Sequence, residues 1–234
     1  MFQFKQFSVD QTGCAMKINT DGVLLGALAD ADEPENILDI GTGTGVIALM
    51  LAQRFNRAQI DAVEIDSSAA QAAKRNFKNS PFAERLAVFP MDFESYFEQH
   101  PSKKYDFIVS NPPFHINSLE SPKAKKTLAK HVGEDFFEGL INGIAEHLTK
   151  NGCCWLVLPL QAAELVKGLL NQHQLHLYKQ MDILSFAHSP AHRNVLCFGF
   201  NEISTEISNL VIYESAGNYS AVYKHLLQPY FIAY

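Results

Sequence analysis

The segment SNPPF (residues 110–114) places an amide side chain and two prolines directly after the apolar run YDFIVS. Each proline fixes its own φ and disfavours helical backbone at the residue before it, so Asn111 and Pro112 are predicted to be extended. The Asn111 side-chain oxygen and the Pro112 carbonyl then become rigid hydrogen-bond acceptors, which suits the binding of a small planar amino group. The same residues also fit a stiff turn at the end of a strand, and the segment alone does not decide between the two.

A glycine-rich segment, DIGTGTG, lies upstream with Gly41, Gly43 and Gly45 before the amphipathic stretch VIALMLAQRF. Glycines allow a tight turn and close approach to a ligand, and a helix start presents free N–H groups. A dinucleotide fingerprint starting at Gly41 requires glycine where Val46 stands, and the lysine of a phosphate-binding loop is absent. Asp39 suits a ligand with an ammonium group better than a pyrophosphate, although it also fits hydrogen bonds to its own loop.

Two further acids follow the next two apolar runs. Glu64, in AVEID, lies twenty-three residues after Gly41, a spacing that suits a carboxylate bound to both hydroxyls of a ribose. Asp92, in PMDF, fits the exocyclic amine of an adenine, with the backbone N–H of Phe93 beside it; an acid at the edge of the core is the alternative. Asp66 is expected to cap the following helix. In this order the residues predict a site for an adenine nucleoside with a cationic group.

The elements that must position these residues alternate between short apolar runs and longer amphipathic stretches, as in βαβ units with a mostly parallel sheet. Near-continuous Val, Ile and Leu in several runs indicates a sheet covered on both faces. Strands are predicted at about 36–40, 59–65, 86–89, 105–109, 153–158, 175–186 and 194–201, and helices at about 45–54, 67–79, 135–149 and 161–172.

We expect a single domain over residues 1–234, with additions at both ends of a core at 35–201. Residues 1–34 are predicted to form a hairpin and then a helix that starts near Thr20 and Asp21, either of which is suited to cap it. Residues 202–234 are predicted to form a strand, a turn and a short helix that pack on the sheet.

Composition excludes several classes of protein. The chain has 234 residues, of which 47% are hydrophobic and 19% charged, as in a globular protein. No run is long enough to span a membrane, and MFQFKQFSVD lacks the features of a signal peptide, so we expect a cytoplasmic protein. The four cysteines show no C-x-x-C spacing and are expected to be reduced core residues. Pro190 separates His188 from His192, and we expect no metal site.

The net charge of −6 disfavours a protein that coats nucleic acid by charge alone. One segment, SPKAKKTLAKH, nevertheless carries four lysines without an acid between Pro122 and His131. Such a run is usually a solvated surface, and contact with phosphates is the alternative. The lysines are Lys123, Lys125, Lys126 and Lys130.

DIGTGTG, AVEID and MDF, in this order, resemble the cofactor loop, the ribose-binding acid and the adenine site of class I S-adenosylmethionine-dependent methyltransferases. NPPF resembles the N-P-P-[YF] motif of members that methylate a planar amino nitrogen. The resemblance implies a Rossmann-like seven-stranded mixed sheet, flanked by helices, whose last strand is inserted antiparallel. It also implies S-adenosylmethionine as cofactor and a catalytic segment of Asn111, Pro112, Pro113 and Phe114, with Phe114 stacked on the target base.

The segments at the two ends of the chain resemble those of one particular group of methyltransferases. FKQFSVDQTGCAMKINTDGVLLGALAD and YSAVYKHLLQPYF are similar to the ends of bacterial tRNA1(Val) adenine-N6 methyltransferases, which implies tRNA as partner and the adenosine just 3′ of the anticodon as substrate. We expect Thr20 and Asp21 to contact the cofactor. Arg193 and the four lysines are expected to contact RNA phosphates.

Three other functions remain as alternatives. NPPFH, with His115, also resembles ribosomal-RNA guanine-N2 methyltransferases, which usually carry a second domain for which this chain has no room. A protein glutamine methyltransferase would use Asn111 and Pro112 in the same way. A non-catalytic nucleotide-binding module predicts an eroded motif, yet Asn111, both prolines and Phe114 are intact.

Overall fold

The computed structural model describes residues 1–14, 16–113 and 123–233, without the side chains of residues 123–132. The strands are β1 (Phe2–Gln3), β2 (Ser8–Val9), β3 (Asn36–Ile40), β4 (Gln59–Val63), β5 (Leu86–Phe89), β6 (Tyr105–Ser110), β7 (Leu148–Leu158), β8 (His176–Leu184), β9 (Ala191–Gly199), β10 (Glu206–Val211), β11 (Tyr213–Ser215) and β12 (Asn218–Tyr219). The helices are α1 (Thr20–Leu28), α2 (Val46–Arg54), α3 (Ser67–Lys78), α4 (Phe93–Gln99), α5 (Lys123–His147), α6 (Leu160–Leu170) and α7 (Ala221–Leu227).

One central sheet carries the strand order β10-β8-β9-β7-β6-β3-β4-β5. β9 pairs antiparallel with both β7 and β8, and the other pairings in this sheet are parallel. The predicted mixed sheet with one late antiparallel strand is therefore confirmed. The predicted count of seven strands is wrong, because Glu206–Val211 pairs with β8 as an eighth, edge strand.

Alternating side chains of the central strands pack into two cores, one on each face of the sheet. Ile37 and Phe107 lie in the core beneath α1, α2 and α7, whereas Leu38 and Ile108 lie in the core beneath α4, α5 and α6. This follows from the two-residue period of a strand, which sends successive side chains to opposite faces. Burial on both faces explains why most side chains of these strands are apolar.

The helices differ from prediction in three places. The predicted caps of α1 are wrong, because Asn19 is the N-cap and its side-chain oxygen accepts from Gly22 N at 2.9 Å. α4 was not predicted, since its seven residues are too few to establish a helical period. α5 begins at Lys123 rather than near residue 135, so the lysine segment forms its first turns.

The two ends of the chain meet on the first core. β1 and β2 form the predicted N-terminal hairpin, and Lys5 N donates to Tyr230 O at 2.7 Å. The Phe4 ring lies 4.4 Å from the Phe7 ring and 5.5 Å from the Phe231 ring, between centroids. Residues 1–34 and 202–234 therefore share packing with each other as well as with the sheet.

Candidate active site

The glycine loop follows β3, and all three of its glycines have positive φ, of 71° at Gly41, 57° at Gly43 and 86° at Gly45. A Cβ built at Gly41 or Gly43 would meet no atom within 4 Å, whereas one at Gly45 would lie 2.4 Å from Phe77 Cε1. The first two glycines therefore expose backbone to open space, as close approach of a ligand requires. Gly45 is required by packing of α2 against α3.

Asp39 lies beneath this loop and is fully buried. Its Oδ2 accepts from Thr42 Oγ1 at 2.6 Å and from Ala48 N at 3.2 Å, while its Oδ1 has no hydrogen-bond partner among the described residues. Burial raises the pKa of Asp39 to about 7, against the opposing effect of these two hydrogen bonds. The geometry assigns Asp39 a role in shaping the loop, and its contact with a ligand stays a prediction.

Glu64 joins the end of β4 to the loop. Its Oε2 accepts from Gly43 N and its Oε1 from Asp66 N, both at 2.8 Å. A carboxylate has about four acceptor positions, so two remain for a ligand. Asp66 caps α3 by accepting from Ala69 N at 2.7 Å, which confirms the predicted cap.

Asp92 is the N-cap of α4. Its Oδ1 accepts from Ser95 N at 2.7 Å and its Oδ2 from Ser95 Oγ at 2.9 Å, and these hydrogen bonds lower the pKa of the carboxyl. Asp92 is thus held ionised at the carboxyl end of β5. Phe93, the first residue of α4, is buried, and the first N–H groups of a helix have no intrahelical partner.

The NPP segment follows β6 beside the glycine loop. Ser110 Oγ donates to Ile40 O at 2.7 Å and so joins the ends of β6 and β3. Asn111 Oδ1 is buried and has no hydrogen-bond partner among the described residues, while Nδ2 faces α1, 3.6 Å from where a Cβ on Gly22 would stand. Phe114 lies outside the described residues.

A cleft of about 200 Å³ opens where the carboxyl ends of β3, β4 and β6 meet the loop after β5. It contains five of the predicted site residues, namely Gly41, Asp92, Phe93, Pro112 and Pro113. Asp39, Glu64 and Asn111 do not line it but contact the loops that do. The other lining residues are Ile40, Val63, Ile65, Met91, Glu94, Ser110 and Phe136.

None of these seven other lining residues was predicted from sequence as a site residue, and Ile65 and Phe136 show why. Ile65 is 73% exposed although apolar. Its position directly after the predicted residue Glu64 is the feature of the sequence that could have indicated that it lines the cleft. Phe136 carries no such signal, because α5 brings it to the cleft from more than twenty residues beyond the NPP segment. Its ring packs edge-on against Phe93 with centroids 5.6 Å apart.

The remaining predicted residues lie around the rim. Asp21, in the first turn of α1, is paired with Arg193 of β9, whose Nε donates to its Oδ2 at 2.8 Å. Thr20 begins α1. The backbone of Lys123, Lys125, Lys126 and Lys130 belongs to α5, and their side chains are outside the described set.

Among the side chains of residues 1–14, 16–113 and 133–233, no three of His, Cys, Asp or Glu are grouped as metal ligands. Within residues 1–14, 16–113 and 123–233, no helix has the length and apolar character to cross a membrane. The four cysteines are free thiols.

Comparison with known proteins identifies the family. Residues 17–180 match the family described as Methyltransferase small domain. Proteins from Pedobacter heparinus and Bacteroides thetaiotaomicron, both named tRNA1(Val) (adenine(37)-N6)-methyltransferase, are 47% and 40% identical to this chain. The first alignment covers 100% of this chain and 98% of the relative, and the second 99% and 97%.

A solved structure supports the fold. The crystal structure of a predicted O-methyltransferase from Agrobacterium tumefaciens superposes with a TM-score of 0.68 at 16% identity, covering 90% of this chain and 96% of that one. The sheet order and the glycine loop of this chain are those expected for the family to which these relatives belong. The chain belongs to the methyltransferase small-domain family and, within it, to the family of tRNA1(Val) (adenine(37)-N6)-methyltransferases.

Proposed function

We propose that this protein transfers a methyl group from S-adenosylmethionine to N6 of adenosine 37, just 3′ of the anticodon, in tRNA1(Val). The names of its relatives give the reaction and the substrate. The observation that carries the chemistry is the buried Asn111 Oδ1, which has no partner among the described residues. A buried acceptor without a partner costs about 1–3 kcal/mol, so its retention is explained if a substrate N–H satisfies it. A tRNA substrate implies a cytoplasmic location.

The residues present fit S-adenosylmethionine. Gly41 and Gly43 leave open space at the loop. The unpaired Asp39 Oδ1 is an acceptor suited to an ammonium group, whose positive charge would favour the ionised carboxylate. Glu64 would hold the ribose hydroxyls through its remaining acceptor positions. Asp92 and Phe93 would hold the adenine in the cleft that they line. When bound, the cofactor supplies an electrophilic methyl group on a sulfonium.

The acceptor amine is a weak nucleophile, because its lone pair is delocalised into the adenine ring. If Asn111 Oδ1 and the Pro112 carbonyl each accept one N–H, electron density builds on nitrogen and the positive charge that develops there is stabilised. Both acceptors must be rigid to act in this way. The prolines that follow Asn111 provide that rigidity, and no strong base is needed.

Contacts with RNA stay predictions. Phe114 would stack on a base turned out of the anticodon loop, a contact worth about 1–3 kcal/mol. An unpaired loop adenosine is cheaper to extrude than one in a duplex. The lysines at the start of α5 follow the NPP segment closely in the sequence. Their charges would therefore contact phosphates near the adenosine that accepts the methyl group. The alternatives, guanine N2 and protein glutamine, are not favoured by the names of the relatives.

Incubation with methyl-labelled S-adenosylmethionine and separate tRNA, rRNA and protein pools tests the proposal. We expect label in N6-methyladenosine from tRNA1(Val), and none in a matched transcript with guanosine at position 37. Asn111→Ala should lower kcat by at least about 100-fold and leave calorimetric binding of the cofactor unchanged. Label in guanine N2 or in glutamine, or full activity of Asn111→Ala, would contradict the proposal.

A further inference from the structure

We infer that the Asp21–Arg193 ion pair positions Asn111 for methyl transfer by holding the first turn of α1 against it. This inference rests on the proposed function. The sequence predicts that Asp21 contacts the cofactor and that Arg193 contacts RNA. The inference instead gives both residues one role, which is to position Asn111.

The ion pair joins two elements that are distant in sequence. Arg193 Nε lies 2.8 Å from Asp21 Oδ2 across 172 residues, which ties the start of α1 to the start of β9. The two side chains are only 28% and 14% exposed, so water screens the pair less than it screens a surface pair. The far end of α1 is held separately, by Arg54 Nη1 donating to Ala29 O at 2.6 Å.

The first turn of α1 lies beside the Asn111 amide. A Cβ on Gly22 would stand 3.6 Å from Asn111 Nδ2 and 3.5 Å from Oδ1 of Asn19. The capping oxygen of Asn19 therefore lies on the side to which Asn111 turns its NH2 group. Asn111 Oδ1, which is buried and has no hydrogen-bond partner among the described residues, is left as the oxygen available to a substrate.

Loss of the pair would free the start of α1 and let the Asn111 amide rotate. A misplacement of about 1 Å at a reacting group can cost about 100-fold in rate. The Asp21 carboxylate is already bound by Arg193, so the inferred role predicts that binding of the cofactor does not change. The expected signature is a lower kcat at nearly constant KM.

A double-mutant cycle tests this role. We expect Asp21→Asn and Arg193→Gln each to lower kcat about tenfold. The kcat of the double variant should be no lower than that of the less active single variant, because both changes break the same ion pair. KM for cofactor and for tRNA should stay within about twofold of wild type. Asp21→Glu keeps the charge and should retain most of kcat. Lys179→Gln and Glu206→Gln, which break a 3.3 Å pair between β8 and β10, are the matched controls and should not change kcat.

Five results would overturn the inference. Unchanged kcat in both single variants, or a loss in Asp21→Glu as large as that in Asp21→Asn, would exclude the positioning role. Weaker cofactor binding by Asp21→Asn would place Asp21 on the cofactor. A salt-dependent rise in KM for tRNA, seen with Arg193→Gln alone, would place Arg193 on RNA. A wild type inactive on every tRNA would overturn the proposed function as well, which separates the two failures.

Discussion

Asp39 Oδ1 and Asn111 Oδ1 are buried oxygens without a hydrogen-bond partner in the described part of the chain. They belong to the carboxyl ends of neighbouring strands, β3 and β6. Each costs free energy that folding must offset elsewhere. Asp39 Oδ1 lies beside the glycine loop, where a cationic cofactor would bind. Asn111 Oδ1 lies in the NPP segment, where an amine substrate would bind.

Titration of Asp39 should couple stability to pH. The folded protein keeps the Asp39 proton up to a pKa of about 7, whereas the unfolded chain releases it near 3.8. Between these values the folded state binds more protons, so this group stabilises the fold at low pH and loses that contribution as pH rises. Asp39→Asn does not titrate. We expect the unfolding free energy of wild type, relative to this variant, to fall by about 3 kcal/mol from about pH 4 to about pH 7, measured by urea denaturation. A pH-independent difference would contradict this.

Replacing Glu64 by glutamine should weaken cofactor binding. The glutamine NH2 would face either Gly43 N or Asp66 N and leave that donor unpaired. The ribose would also lose a charged acceptor. We expect a Kd for S-adenosylmethionine at least tenfold higher by calorimetry, about 1.4 kcal/mol. Glu84→Gln, at an exposed position, is the control; equal affinities of the two variants would show that Glu64 does not hold the cofactor.

At the scale of elements, two requirements determine the conformation of the glycine loop: open space for a ligand, and packing of α2 against α3. Gly41 and Gly43 face open space, whereas Gly45 sits against the Phe77 ring at the start of α2. Glu64 of the neighbouring strand end fixes the loop through Gly43 N. The loop is therefore determined by β4 and α3 as much as by its own glycines.

Gly45→Ala should be far more damaging than Gly217→Ala. Both glycines have positive φ, of 86° and 80°, so each substitution strains the backbone by about 1 kcal/mol. Only at Gly45 does the new Cβ fall 2.4 Å from a ring atom, whereas at Gly217 nothing lies within 4 Å. We expect Gly45→Ala to cost at least about 2 kcal/mol more of unfolding free energy in urea. Equal losses would mean that Phe77 moves away freely.

At the scale of the whole molecule, the N- and C-terminal additions pack against each other on the first core. Phe4 pairs with Phe231 through an isolated bridge, and Gln53 Nε2 of α2 donates to Pro229 O at 2.9 Å. Lys5 N donates to Tyr230 O. These contacts predict that both additions unfold together with the sheet.

Phe4→Ala should test that cooperativity. The Phe4 side chain is fully buried, so its truncation should cost about 3–5 kcal/mol. We expect one shifted unfolding transition, with fluorescence and circular dichroism coincident. Ile232→Ala is the control, because Ile232 is 62% exposed and should cost little. An early partial transition in Phe4→Ala would show that the ends unfold separately from the sheet.

The sequence by itself determined the alternation of strands and helices, the glycine loop and the order of the site residues. These features depend on local properties: the period of apolar residues, the φ freedom of glycine and the constraint of Pro112 and Pro113. The cap of α3 by Asp66 could be predicted for the same reason. The short helix α4 could not, because its seven residues carry too little periodicity.

Only the tertiary structure decided which distant residues meet. Phe136 reaches the cleft through α5, and Arg193 meets Asp21 across 172 residues, because the sheet order brings β9 near α1. The eighth strand likewise depends on pairing between β10 and β8, which no local pattern encodes. Contacts of this kind follow from long-range packing and hydrogen bonding, whereas a sequence pattern reports only the conformational preference of each segment.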